Sequence, residues 1–208
     1  MERLLQIKDE PYYKYVQEVI NEDIPACRYI KLACHRFLRF MEREDIEFHK
    51  EKVDKVLKFC SNMVQFQAPF NNKPLVLSPW QTFFIANIYG FYYKGTDDRV
   101  CQHAILEIGR KAGKTALCAV LALYHLVAES DGQVEIDCCA MTRPQAKILF
   151  EMAVNFAKKM DPHHKFLKPT INKLKFKKND SYFQVLASES ASLDGYGAQC
   201  FFMDESAA

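Results

Sequence analysis

No stretch of this 208-residue chain is long and apolar enough to read as a membrane span, and the opening MERLLQIKDEPYYKY lacks the apolar core of a secretion signal. Both absences point to a cytosolic chain. The eight cysteines include no CxxC pair and no metal-ligand spacing, and Cys60, Cys118, Cys138, Cys139 and Cys200 lie inside apolar runs. They read as reduced, buried thiols. Cys27, Cys34 and His35 fit no zinc pattern and are better explained by a helix face. A net charge of +2 makes no global demand for nucleic acid, so any such surface has to be a local patch. There is no internal repeat and no low-complexity linker. What remains is 49% apolar and 26% charged, enough for one substantial core with at most a small appended subdomain.

The chain is organised around Ala104 to Thr115, AILEIGRKAGKT. Ala104, Ile105, Leu106 and Ile108 predict a short buried strand that stops at Gly109, and TALCAVLALYHLV, Thr115 to Val127, predicts a helix apolar on nearly every side. A loop that enters a helix through Gly-Lys-Thr aims unpaired backbone N–H groups and the helix dipole at an anion. Gly113 lets phosphate oxygens approach the main chain, Lys114 reaches toward β- and γ-phosphates, and the Thr115 hydroxyl suits a Mg²⁺ shell. The strict GxxxxGK[ST] pattern wants a glycine where Ile108 stands, and Gly109 comes one residue late. Its partner is QCFFMDE, Gln199 to Glu205, an apolar strand that delivers two carboxylates at its C-terminal end. There Asp204 suits Mg²⁺, and Glu205 suits orienting or deprotonating an attacking water.

Ahead of this core the pattern is helical from Pro11 to about Glu44, divided at Pro25, and again from Phe48 to Phe66. A short strand is expected at Leu75 to Leu77. In LSPWQTFFIANIYGF, Ser78 is a good N-cap, and Gln81 in the first turn either caps its helix or offers an amide to an adenine edge. Beyond the loop, VEIDCCAM, Val134 to Met141, predicts a second strand. Thr142 and Gln145 form a capping box for the next helix. KLKFKK, Asn179-Asp180 and YFQVLA predict a β-hairpin whose Lys173, Lys175 and Lys177 either solvate a strand face or ride on a phosphate backbone. SLDGYGAQ, Ser192 to Gln199, reads as a flexible connection into the acidic strand.

LSPWQ, RKAGKT, TRPQAKILFE, LDGYG and FFMDE, in this order, resemble the N-terminal ATPase domain of the large terminase subunit of tailed bacteriophages, the motor that packages DNA into procapsids. The resemblance spans roughly Ala33 to Glu205. It implies an α/β fold of the P-loop NTPase (ASCE) type: a mostly parallel sheet flanked by helices, with an N-terminal helical region over 1–72 and the ATPase core over 73–208. It implies ATP and Mg²⁺, with a Walker A loop of Gly109, Arg110, Lys111, Ala112, Gly113, Lys114 and Thr115, and Thr115 and Asp204 on the metal. Glu205 takes the catalytic glutamate role, Arg110 or Lys111 senses the γ-phosphate, and Gln81 contacts adenine. Implied partners are double-stranded DNA held non-specifically by its backbone, a portal protein, a small terminase subunit and further copies in a ring, all in the cytoplasm of a bacterial host.

The sequence departs from the family at Ser206 and Ala207, where a large apolar residue and a His are usual. The family's nuclease domain and a later strand, which lies between the Lys114 and Asp204 strands, do not follow. The expectation is therefore an incomplete sheet and a fragment that binds nucleotide weakly and hydrolyses it poorly without the missing part. The alternatives are a DExx helicase-like translocase and an inactive nucleotide-binding remnant.

Overall fold

The computed structural model describes residues 2–129, 132–186 and 197–204. The chain divides into two compact units, Met1–Ser61 with Val76–Leu106, and Asn62–Leu75 with Glu107–Ala208. They interleave in sequence, whereas the sequence alone suggests a single boundary between residues 72 and 73. No helix among the described residues is long and apolar enough to cross a membrane.

In the first unit α1 (Glu2–Leu5), α2 (Pro11–Ile20), α3 (Arg28–Glu42), α4 (Lys50–Ser61) and α5 (Pro79–Tyr89) surround a two-stranded antiparallel ribbon, β1 (Ile46–Phe48) and β2 (Phe91–Tyr93). Pro11 and Pro79 sit at helix starts, where their missing N–H groups cost nothing. The core is aromatic. Phe37 packs edge-on against Phe91 at 5.1 Å between ring centres, Phe48 against Phe91 at 4.9 Å, and Tyr12 lies 6.4 Å from Phe37. Gly90 closes α5 tightly against this cluster, since a Cβ there would lie 2.3 Å from the Phe48 ring. Arg3 ties the N-terminus down by donating to the carbonyls of Arg43 and Ile46 at 3.1 and 2.8 Å.

In the second unit α6 (Lys114–Tyr124) runs into a π-helical turn, His125–Glu129. Then come β3 (Glu135–Ala140), α7 (Arg143–Met160), β4 (Leu167–Pro169), β5 (Lys173–Phe176), β6 (Tyr182–Val185) and β7 (Cys200–Asp204). The five strands form one sheet in the order β4-β5-β6-β3-β7. β3 is parallel to both β6 and β7, while β4–β5 and β5–β6 are antiparallel. The sheet is thus mixed rather than mostly parallel, because the expected hairpin joins the main sheet instead of standing apart.

Register fixes which side chains share a face. Ile136, Cys138 and Ala140 lie opposite Cys200, Phe202 and Asp204, on the side where Cys138 donates its thiol to the Ala146 carbonyl of α7 at 3.7 Å. Phe183 is on that side too, 5.5 Å from Phe150 of α7. The α7 start forms as its local chemistry predicts, with Thr142 and Gln145 in a reciprocal capping box.

Two expected strands do not form. Residues 101–109 have no regular structure, and Ile105, expected to be buried, is 95% exposed. A strand needs a ladder partner for its N–H and C=O groups, and none flanks this segment among the described residues. β7 correspondingly pairs with β3 and, among the described residues, with no second strand. Leu75 to Leu77 is likewise irregular. Its neighbourhood is held by a single antiparallel bridge, Val64 to Pro74, and by Phe66 packed edge-on against Phe156 at 5.1 Å.

Candidate functional site

The loop before α6 carries two residues in the left-handed region, Lys111 at φ 64° and Gly113 at φ 84°. Glycine adopts that conformation freely, and lysine does so only under constraint. Gly113 is the N-cap of α6 and has no side chain to cap it, so the first N–H groups of the helix are left for other acceptors. The helix closes behind them, with Leu117 N donating to Gly113 O at 3.0 Å. Arg110, Lys111 and Ala112 are exposed, and Lys114 and Thr115 are half-buried. A Cβ at Gly109 would meet nothing within 4 Å, so no packing demands glycine there.

Lys114 opens α6 and Asp204 ends β7, and their side chains meet, with Nζ 3.6 Å from Oδ1. Both elements belong to the second unit. The pair arises from two periodicities. Residues 114, 118 and 125 recur on one side of α6 and its continuation, and residues 200, 202 and 204 alternate onto one face of β7. The helix therefore runs antiparallel to the strand, placing Lys114 by Asp204 at one end and His125 6.4 Å from the ring of Phe202 at the other. Cys118 lies between them, where burial pushes its thiol up to about 12 and Asp204 adds to the effect.

The sequence reading missed His125, which is paired with Glu129 inside the π-helical turn. Burial opposes its charge, but hydrogen bonds to Cys200 and Glu129 outweigh that and raise it from 6.5 to about 9. The signal was present as the spacing from Lys114 through Cys118 to His125. Because the folded pKa lies above the unfolded one, this contribution is complete below about pH 6.5 and is lost as pH rises through about 9. Urea midpoints measured from pH 6 to 10 should fall for the wild type and fall less for His125→Gln. Parallel curves would mean that the imidazole is not held charged.

Of the remaining predicted residues, Gln81 belongs to the first unit, where its Oε1 accepts from Ser78 N at 2.8 Å. Its side-chain oxygen is thus used as a helix cap. Glu205 lies outside the described residues, as do Ser206 and Ala207 and the stretch 187–196, which includes most of LDGYG. Among the described residues no group of three or more His, Cys, Asp or Glu is placed to hold a metal ion. Oxygen donors on the two elements that meet here include the Thr115 hydroxyl of α6 and the Asp204 carboxylate of β7.

Known proteins resemble this chain in the same region. The family described as terminase large subunit, ATPase domain, matches residues 79–208. The terminase large subunit of Enterobacteria phage HK97 is 42% identical over 83 residues, which is 39% of this chain and 15% of that protein. The crystal structure of the HK97 large terminase superimposes with a TM-score of 0.59 at 28% identity, covering 74% of this chain and 31% of that one. The chain thus spans well under half the length of either relative. The family match separates it from the helicase-like alternative: this chain belongs to the terminase large subunit family, within its ATPase domain.

Proposed function

We propose that this chain is a P-loop ATPase that binds Mg·ATP between the start of α6 and the end of β7, as part of a motor that packages phage DNA. The observation that carries this reading is the 3.6 Å approach of Lys114 to Asp204, which joins a glycine-opened helix N-terminus to a strand-end carboxylate. The ion pair is partly exposed, so it contributes only about 0–1 kcal/mol. A triphosphate, with far more negative charge, can take the lysine from it.

In this reading the N–H groups around Gly113 cradle the phosphates, Lys114 binds β- and γ-oxygens, and Arg110 or Lys111 senses the γ-phosphate. Thr115 and Asp204 would supply hard oxygen donors of the kind that Mg²⁺ takes. The metal would polarise the phosphoryl oxygens. Glu205 holds and orients the attacking water and accepts its proton. Gln81 retains its Nε2 as a donor for a ring nitrogen of adenine. Duplex DNA is the track, gripped by its backbone without sequence readout, and a portal, a small subunit and further copies of the chain complete the motor in the bacterial host cytoplasm.

A fluorescent ATP analogue titrated with and without Mg²⁺ tests the metal assignment. Wild-type affinity should drop at least tenfold in EDTA, and Asp204→Ala should show the weaker affinity under both conditions. Equal wild-type binding with and without the metal would remove Asp204 and Thr115 from the role proposed.

A further inference from the structure

The outward face of α3 is cationic in a way that the nucleotide site does not use. Arg28, Leu32, His35, Arg36 and Arg39 are all exposed, and at 100° per residue they fall in one stripe. The only acid in that stripe is Glu42, at its C-terminal end. Cations flanking it are neutralised, Lys31 by Glu22 at 2.5 Å and Arg43 by Asp45 through a hydrogen bond of 2.9 Å from Nε. Arg28, Arg36 and Arg39 have no carboxylate partner among the described residues.

Arg36 sits at the edge of a cavity of about 330 Å³ in the same unit, lined also by Phe40, Tyr93, Gln102 and His103. The guanidiniums of Arg36 and Arg43 lie 5.9 and 5.7 Å from the centre of the Phe40 ring, which steadies both side chains. Tyr29, 80% exposed, stands beside the stripe. Three unpaired arginines among exposed apolar groups make a poor device for solubility alone, because lysine hydrates better and a guanidinium fork matches phosphate.

The lysines of β5, and Lys177 just after it, show what a solvated face looks like in this molecule. Lys173 lies over the Tyr182 ring at 4.3 Å, Lys175 pairs with Asp180 at 2.7 Å, and Lys177 donates to the His164 carbonyl at 2.7 Å. Each is engaged locally, so the hairpin stripe reads as a tethered surface and not as a free one.

We propose that the exposed face of α3, centred on Arg36, binds backbone phosphates of duplex DNA. From Arg28 to Arg39 the helix rises about 16 Å, enough to lie along roughly four or five phosphates of one strand. The choice of duplex DNA among polyanions rests on the function proposed above, while the surface itself rests on α3 alone. Nucleotide binding and DNA binding therefore fail separately.

The test is fluorescence anisotropy of a short labelled duplex, titrated from about 50 to 200 mM salt. Each phosphate contact contributes about 0.9 to the slope of log K against log salt, so Arg28→Ala/Arg36→Ala/Arg39→Ala should flatten the slope by about 2.7. Affinity should fall at least tenfold at the low-salt end. The corresponding triple lysine variant should keep most of the slope, and Lys173→Ala/Lys175→Ala should leave it unchanged. The fluorescent ATP analogue should bind the triple alanine variant as it binds the wild type. Should that variant fail to fold, the three single alanine variants decide, each expected to flatten the slope by about 0.9. An unchanged slope in the alanine variant, a loss carried instead by the β5 lysines, or a wild-type chain that ignores duplex DNA at low salt and binds only acidic protein would overturn the assignment.

Discussion

Replacing Lys114 with alanine is expected to weaken Mg·ATP binding roughly 100-fold or more without disturbing the fold. The lysine would donate charge-assisted hydrogen bonds to two phosphates, each contributing about 1.5–3 kcal/mol, and each 1.4 kcal/mol is a factor of ten. Alanine is the best helix former, so the first position of α6 loses nothing locally by the change. The lost ion pair to Asp204 is partly exposed and its removal costs about 1 kcal/mol at most. Titration calorimetry or a fluorescent analogue gives the affinity, and circular dichroism the fold. Wild-type affinity in a folded Lys114→Ala protein would mean that nucleotide, if bound, sits elsewhere.

The second large effect is expected in turnover. Glu205 follows Asp204 directly in sequence, and in the proposed reaction it takes the proton of the attacking water. A positioned general base contributes roughly 10²- to 10⁴-fold. Glu205→Gln keeps size and hydrogen bonding but cannot accept the proton, so whatever steady-state hydrolysis the chain has should fall by at least 100-fold while affinity for ATP changes little. That split separates a role in chemistry from one in binding. Equal turnover in wild type and variant would assign hydrolysis to another group.

Legibility in the sequence followed the range of the interactions involved. The α7 start was readable because Thr142 and Gln145 make their bonds within one turn. So was the β5–β6 hairpin, whose alternation and Asn179-Asp180 turn are local, with Asp180 at φ 61°. The Lys114–Asp204 meeting was readable only jointly, from the order of two motifs about 90 residues apart. Ala104 to Ile108 was misread because an apolar run records what a strand wants to bury and not whether a neighbouring strand is present to receive its hydrogen bonds. The ribbon of β1 and β2 escaped notice since three-residue strands leave too short a pattern. His125 was hidden inside an apolar helix, and its importance depends on Glu129 and on Cys200, far along the chain.

Gln81 illustrates a different limit. Family resemblance favours an adenine contact, whereas local capping chemistry predicts the bond to Ser78 N, which is the one present at 2.8 Å. The two roles use different ends of the amide, so the cap does not exclude the contact.

The most direct test of the central claim is a double-mutant cycle on Mg·ATP affinity with Lys114→Ala, Asp204→Ala and the combination. If both side chains converge on one metal-bound triphosphate, their losses should fail to add, with a coupling of about 1 kcal/mol or more. Losses that add to within about 0.5 kcal/mol would contradict a shared site.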